Sequence, residues 1–213
     1  MKQVIASIRF LYTEVLDKPV PKSLFVKMKR SKTLPVVLSK EEITRLIKAT
    51  QNLKHKTILL MIYSAGLRLG ELLDLKIADI DSKALKIHIV QGKGNKDRYV
   101  PLSEKALDVL RQYFRTYKPA EYLIEGAQGG RYSEKSVQSV MKQALKRAAI
   151  RKKATVHTLR HSFATHLLDE GTDIRYIREL LGHVRLETMQ IYTHVSSYSI
   201  NKIKSPADSL DIE

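Results

Sequence analysis

The stretch ALKIHIVQGKGNKDRYVPL (residues 84–102) decides the fold, because its apolar residues alternate where most of the chain shows helical spacing. Leu85, Ile87 and Ile89 alternate with Lys86 and His88, which predicts a half-buried strand. A glycine-containing turn follows and leads into a second short run, so the stretch predicts an antiparallel β-hairpin.

Helical patterns lie on both sides of this hairpin. The apolar pair Leu123-Ile124 predicts a short third strand. The fold class is therefore mostly α with a small three-stranded antiparallel β-sheet (α+β). We predict helices at 4–16, 39–50, 53–65, 67–75, 103–117 and 133–149, one capped by Thr158 and ended by Gly171, one capped by Thr172 and ended by Gly182, and one starting at Thr188.

Three segments differ in composition. Residues 1–34 hold one helix and then a basic, proline-containing stretch, which predicts the remnant of a preceding domain and an interdomain linker. Residues 35–196 form the main domain. Residues 197–213 form a tail whose apolar positions Ile200, Ile203 and Leu210 have no obvious partner within the chain.

The charge balance favours a polyanionic partner. Lys and Arg total 38 against 22 Asp and Glu, a formal net charge of +16, and nucleic acid is the first candidate. A basic protein with a merely solvated surface is the alternative. The chain has no cysteine, which excludes disulfides and thiolate metal sites, and no run reaches the roughly 18 apolar residues of a membrane span. With no secretory signal visible, we predict a cytoplasmic protein without a membrane partner.

The end of the main domain gathers imidazole, guanidinium and phenol groups. His157 and Arg160 are three residues apart, so a helix start presents both on one side. Gly182 precedes His183, and Tyr192 follows. A phenol can attack phosphorus while cations hold the phosphate. An exposed basic helix start is the alternative for His157 and Arg160, and an ordinary helix end is the alternative for His183.

Two upstream groups fit the same chemistry. Arg68 lies among apolar neighbours, where Glu71 at i+3 can pair with it or can orient it toward a phosphate. Lys93 lies at the predicted hairpin tip, where it is either a solvated turn lysine or a cation that donates a proton in a groove.

A metal site is the weaker interpretation of the histidines. His157 and His161 are four residues apart, as in zinc-binding helices, but Thr158 replaces the glutamate that this motif needs as its base. Arg160 between them would repel a cation. We therefore predict no metal and no cofactor.

These motifs together resemble the catalytic domain of the tyrosine recombinase (phage integrase) family over about residues 36 to 205. The residues that carry the resemblance are Gly66-Leu67-Arg68-x-x-Glu71-Leu72, Gly92-Lys93-Gly94-Asn95-Lys96, His157-x-Leu159-Arg160-His161, Leu181-Gly182-His183 and Tyr192-Thr193-His194. The resemblance implies a site-specific recombinase or integrase that cleaves and rejoins DNA strands through a 3′-phosphotyrosine, without ATP or metal.

The resemblance also implies roles for individual residues. Tyr192 would be the nucleophile, Lys93 the general acid and His157 the general base, while Arg68, Arg160 and His183 would hold the phosphate. Glu71 and His161 would support them. We predict DNA contacts from four further basic residues, Lys29, Arg30, Lys96 and Arg98.

Double-stranded DNA is the implied partner, with a monomer in isolation and a homotetramer on DNA, in which the tail docks on a neighbouring protomer. A type IB topoisomerase and a non-catalytic DNA-binding module are the alternatives. The pairing of His157-x-x-Arg160 with Leu181-Gly182-His183, and the tail, favour the recombinase.

Overall fold

The computed structural model describes residues 2–21, 35–92 and 96–182. The chain divides into two units, Met1–Thr33 and Leu34–Glu213. In the first, α1 (Lys2–Phe10) continues into a π-helical segment, Leu11–Val15, where the Leu16 N–H donates to the Leu11 carbonyl at 3.0 Å.

In the described part of the second unit, helices precede and follow a small sheet along the chain, as the sequence pattern predicts. In chain order the elements are α2 (Lys40–Ala49), α3 (Leu53–Ala65), α4 (Leu69–Asp74), a 3₁₀ turn (Ile77–Asp79), β1 (Ile80–Asp81), β2 (Lys86–Gly92), β3 (Lys96–Pro101), α5 (Glu104–Tyr117), α6 (Glu134–Arg147), α7 (Val156–Asp169) and α8 (Ile174–Leu181).

Helix α3 is the centre of the core. It is apolar on nearly all sides, a pattern typical of a helix surrounded by protein, and it packs against both α5 and α7. Asn52 starts it by accepting a hydrogen bond from the His55 N–H at 3.0 Å. Gly66 ends it with φ of +61°, a left-handed conformation that favours glycine.

The three strands form one antiparallel sheet in the order β1-β2-β3. Ile87 and Ile89 face the core, and His88 stacks on Tyr99 on the outer face with 4.8 Å between ring centroids. The fold class is confirmed, but the predicted third strand at Leu123-Ile124 is wrong. That pair is buried in a connection whose Leu123 N–H donates to the Leu75 carbonyl at 2.7 Å, and the third strand is β1.

Two predicted helix caps also need correction. Helix α7 begins one turn before Thr158, with Thr155 as its cap, because Val156 is already part of the buried face. Helix α8 is capped by Asp173 rather than Thr172, since the Asp173 carboxylate accepts a hydrogen bond from the Arg175 N–H at 2.8 Å.

None of the helices in residues 2–21, 35–92 and 96–182 combines the length and apolar character that a membrane crossing requires. Within the same residues, no group of three or more His, Asp or Glu side chains is arranged to hold a metal ion.

Candidate active site

Glu71 is the acceptor on which the site is built. Its side chain is only 9% exposed. The Arg68 guanidinium lies 2.5 Å from Oε1, and the Arg68 main-chain N–H donates to Oε2 at 2.8 Å. Arg68 precedes α4 in extended conformation and Glu71 lies in its first turn, so the local fold brings the two together. The ion pair that their spacing predicts is present.

Two further arginines, Arg98 and Arg160, surround the Glu71 carboxylate. Arg98, on β3, donates from Nη1 to Oε1 at 3.0 Å and from Nη2 to Oε2 at 2.7 Å, a bidentate arrangement. Its side chain is 11% exposed. The Nη1 of Arg160, on α7, lies 3.7 Å from Glu71 Oε2. Three guanidinium groups therefore converge on one carboxylate.

The C-terminal end of α8 supplies the remaining acceptors. Its last carbonyls have no partner within the helix and carry the negative end of the helix dipole. Arg98 Nε donates to the Leu180 carbonyl at 2.8 Å, and Arg68 Nη2 donates to those of Leu181 and Gly182 at 3.0 and 2.8 Å. Arg160 Nη2 also donates to the Leu181 carbonyl. These contacts explain how three cations coexist in a largely buried cluster.

Arg160 is the most enclosed of the three arginines, with a side chain 5% exposed. Its Nη1 donates to the Gly66 carbonyl at 2.5 Å. A Cβ on Gly66 would lie 2.4 Å from the Phe163 ring, so glycine is required there for space as well as for φ. The turn between α3 and α4 therefore positions both Arg68 and Arg160.

His157 lies beside this cluster, exposed in the first turn of α7. It lines two adjoining cavities of about 390 and 460 Å³, which also share Leu69 and Gln138. Arg68 lines the first and Lys142 the second. The carboxylates of Glu71, Asp74, Asp79 and Glu134 also line the first cavity. Of the lining groups, Arg68, Lys142 and His157 are the ones that can contact a phosphate backbone.

Electrostatics keep the central carboxylate ionised. Burial alone would raise the pKa of Glu71, but hydrogen bonds from Arg98 and from the Arg68 N–H, with the charges of both arginines, hold its pKa at about 2. His161 is half-buried on α7. Burial, and then the charges of His157 and Arg160, lower the pKa of His161, which favours its neutral form.

Five predicted site residues, Lys93, His183, Tyr192, Lys29 and Arg30, lie outside the described residues. Lys96 opens β3 and pairs in register with Gly92. The DNA contact predicted for Arg98 stays a prediction, because the three donors named above are all directed to Glu71 and to Leu180 within the protein.

The phage integrase family model matches residues 36–198. The chain belongs to the phage integrase family. A putative integrase/recombinase, y4qK of Sinorhizobium fredii, is 38% identical over 97% of this chain and 68% of its own length. The tyrosine recombinase XerA of Pyrococcus horikoshii is 41% identical over 78% of this chain and 59% of its own length.

Among solved structures, the XerH site-specific recombinase bound to a palindromic difH substrate superimposes with a TM-score of 0.70 and 27% identity. That alignment covers 81% of this chain and 53% of XerH. The phage integrase family member described here therefore has the fold of a tyrosine recombinase catalytic domain, and it spans little more than half the length of XerA and XerH.

Sequence reasoning missed two parts of this site. The pairing of Arg98 with Glu71 joins residues 27 positions apart, and the only sequence signal is an arginine that takes an inward position of β3. The carbonyls of residues 180–182 carry no side-chain signature at all, beyond the glycine that ends the helix.

Proposed function

We propose that this chain carries the catalytic domain of a site-specific tyrosine recombinase that cleaves and rejoins double-stranded DNA. The observation that carries the proposal is the cluster of Arg68, Arg98 and Arg160 around Glu71, beside the cavities lined by His157. Such a cluster offers fixed positive charge where negative charge develops on a phosphate in the transition state.

The reaction follows from the groups assigned above. The Tyr192 oxygen attacks the scissile phosphorus, giving its proton to His157, and forms a 3′-phosphotyrosine. The bond to the 5′-oxygen breaks, and Lys93 supplies the proton that this oxygen takes up. Arg68, Arg160 and His183 hold the phosphate oxygens, while Glu71 and His161 support these groups. Attack by a 5′-hydroxyl of a partner strand reverses the steps, so neither ATP nor a metal is required.

The remaining predictions belong to the same proposal. The domain spans residues 35–196, follows a remnant helix and linker at 1–34, and sends the tail at 197–213 onto a neighbouring protomer. The chain is a monomer alone and a homotetramer on two DNA duplexes, where Lys29, Arg30 and Lys96 contact the backbone. Its location is the cytoplasm, in association with the nucleoid.

Covalent capture tests the proposal. A randomised library of duplexes, each nicked near its centre, is incubated with the chain in EDTA, and the DNA that stays attached after denaturation is sequenced. We expect one enriched sequence, attached through a 3′-phosphate, and no adduct with Tyr192→Phe. Loss of the adduct in EDTA would overturn the metal-free mechanism.

Other outcomes point to other functions. Adducts without sequence enrichment, together with relaxation of supercoiled plasmid, would identify a type IB topoisomerase. Sequence-selective binding in which wild type and Tyr192→Phe both form no adduct would identify a DNA-binding module without catalysis.

A further inference from the structure

Arg98 lies on β3, and its guanidinium forms hydrogen bonds within the protein. It donates to both oxygens of Glu71, at 3.0 and 2.7 Å, and to the Leu180 carbonyl at 2.8 Å. A cation that only contacts the DNA backbone can lie at the surface and does not need to be buried in this way. An arginine held at three points by two different elements is suited to fixing their relative positions.

The partners of Glu71 show what Arg98 controls. A carboxylate accepts about four hydrogen bonds. From the described part of the chain, Glu71 accepts two from Arg98 and two from Arg68, of which one comes from the Arg68 main chain. The orientation of the Arg68 guanidinium therefore depends on a carboxylate that Arg98 holds by half of its contacts.

The end of α8 connects Arg98 to the same group by a second route. Arg98 binds the Leu180 carbonyl, and Arg68 binds the next two carbonyls. A Cβ on Gly182 would lie 3.3 Å from the Arg98 guanidinium, so the two groups are already in close contact. Arg98 thus connects strand β3 to the end of α8, next to the two carbonyls that bind Arg68.

We propose that Arg98 is a positioning residue for DNA cleavage, which sets the Arg68 guanidinium through Glu71 and through the end of α8. The inference rests on the proposed function, because it assigns Arg68 to the scissile phosphate. Arg98 itself makes no contact with the reacting atoms in this scheme. Substitution of Arg98 leaves Glu71 and Arg68 in the chain but no longer fixes the orientation of one relative to the other.

The test measures cleavage and binding separately. Using the nicked duplex recovered by covalent capture, single-turnover cleavage rates are measured at saturating DNA for wild type, Arg98→Gln, Arg98→Lys and Arg111→Gln. Arg111 is the matched control, since it is an exposed arginine whose Nη1 lies 3.8 Å from Asp108 on the same helix. Affinity for uncleaved DNA and the urea unfolding midpoint are recorded for each protein.

We expect Arg98→Gln to lower the cleavage rate on the order of 100-fold, because a displacement of about 1 Å at a reacting group has that effect. Its DNA affinity should stay close to that of Arg111→Gln. Arg98→Lys should also cleave slowly, since an ammonium keeps the charge but not the bidentate geometry. If Arg98→Gln does not fold, Arg98→Lys carries the test.

A double-mutant cycle separates positioning from general stabilisation. In a Glu71→Gln background, Arg98→Gln should lower the rate by a smaller factor than it does in wild type, because the route through Glu71 is already lost and only the contact with the end of α8 remains to be removed. Additive effects, or full activity of Arg98→Lys, would overturn the inference. A wild-type chain that forms no adduct would instead overturn the proposed function itself.

Discussion

At the scale of single residues, Glu71 is the group whose ionisation the site depends on. Guanidinium nitrogens of three arginines lie 2.5 to 3.7 Å from its carboxylate oxygens. A buried carboxylate in such surroundings stays charged because the guanidinium groups and an N–H stabilise it more than burial penalises it. The same carboxylate limits the mutual repulsion of the arginines.

The pKa of Glu71 predicts a specific pH dependence. Its folded value of about 2 lies below the ordinary 4.5, so its contribution to stability is fully present above pH 4.5 and is lost as the pH falls toward 2. We expect Glu71→Gln to lower the free energy of unfolding, with a deficit about 3 kcal/mol larger at pH 7 than at pH 2. Urea titrations at a series of pH values measure this difference.

Glu121→Gln is the control for that series. Glu121 is an exposed carboxylate that pairs with Lys76 at 2.8 Å, and exposed pairs contribute about 0 to 1 kcal/mol. Its deficit should be at most about 1 kcal/mol throughout the series. An equally small, flat deficit for Glu71→Gln would show that its carboxylate is not held as described.

At the scale of elements, two helix ends shape the site. Gly66 ends α3 and Gly182 ends α8, both in left-handed conformation, and the carbonyls at these ends receive the arginines. Helix-ending glycines are visible in sequence, so both ends were predictable. Where the helices begin was less so, because Thr155, Thr158, Thr172 and Asp173 can all serve as caps and tertiary burial decides between them.

Gly182→Ala tests the close contact at the end of α8. We expect a loss of about 1 to 2 kcal/mol in unfolding free energy from the left-handed backbone. The new Cβ should also shift the Arg98 guanidinium by a few tenths of an ångström, and slow cleavage by about tenfold. Chemical denaturation and single-turnover cleavage report the two effects.

Gly171→Ala separates backbone strain from crowding. Gly171 has φ of +90°, but a Cβ there would meet nothing within 4 Å. This variant should lose stability and keep the wild-type cleavage rate. Equal slowing by both substitutions would mean that contact with Arg98 is not what Gly182 protects.

The sheet shows where pattern reasoning ends. The β2–β3 hairpin was predictable because apolar residues alternate from Leu85 to Ile89 ahead of a glycine-containing turn. Strand β1 has only two residues, too few to show a period, and Ile80 pairs with Ile87 of β2. The buried pair Leu123-Ile124 has a strand-like composition but serves as a connection.

At the scale of the whole molecule, charge and site point to the same partner. The net charge of +16 indicates a polyanion, and the exposed Lys142 on α6 lines one of the cavities that His157 lines. That Arg68, Glu71 and Arg160 belong to one site was predictable from local motifs. Their assembly was not, because residues 68, 98, 160 and 180–182 meet only through tertiary packing.

Lys142→Gln tests whether this face binds the DNA backbone. Lys142 is exposed on α6 and lines the larger cavity with His157. We expect weaker binding to all sequences and a slope of log K against log salt that is smaller by about 0.9, the value for one phosphate contact. Fluorescence anisotropy over a salt series measures it.

Lys76→Gln provides the comparison, because Lys76 already pairs with Glu121 at 2.8 Å. Its salt slope should match that of wild type. An unchanged slope for Lys142→Gln would place the DNA away from this face of α6.

The carbonyls that end α8 affect which substitutions this part of the site tolerates. Every peptide unit offers an oxygen, whatever side chain it carries. Apolar exchanges at positions 180 and 181 therefore leave the acceptors of Arg68, Arg98 and Arg160 chemically unaltered, provided the helix still stops at 182. The carbonyl acceptors of this site are determined by the residue at which α8 ends. A sequence alignment would show them only as the glycine at position 182.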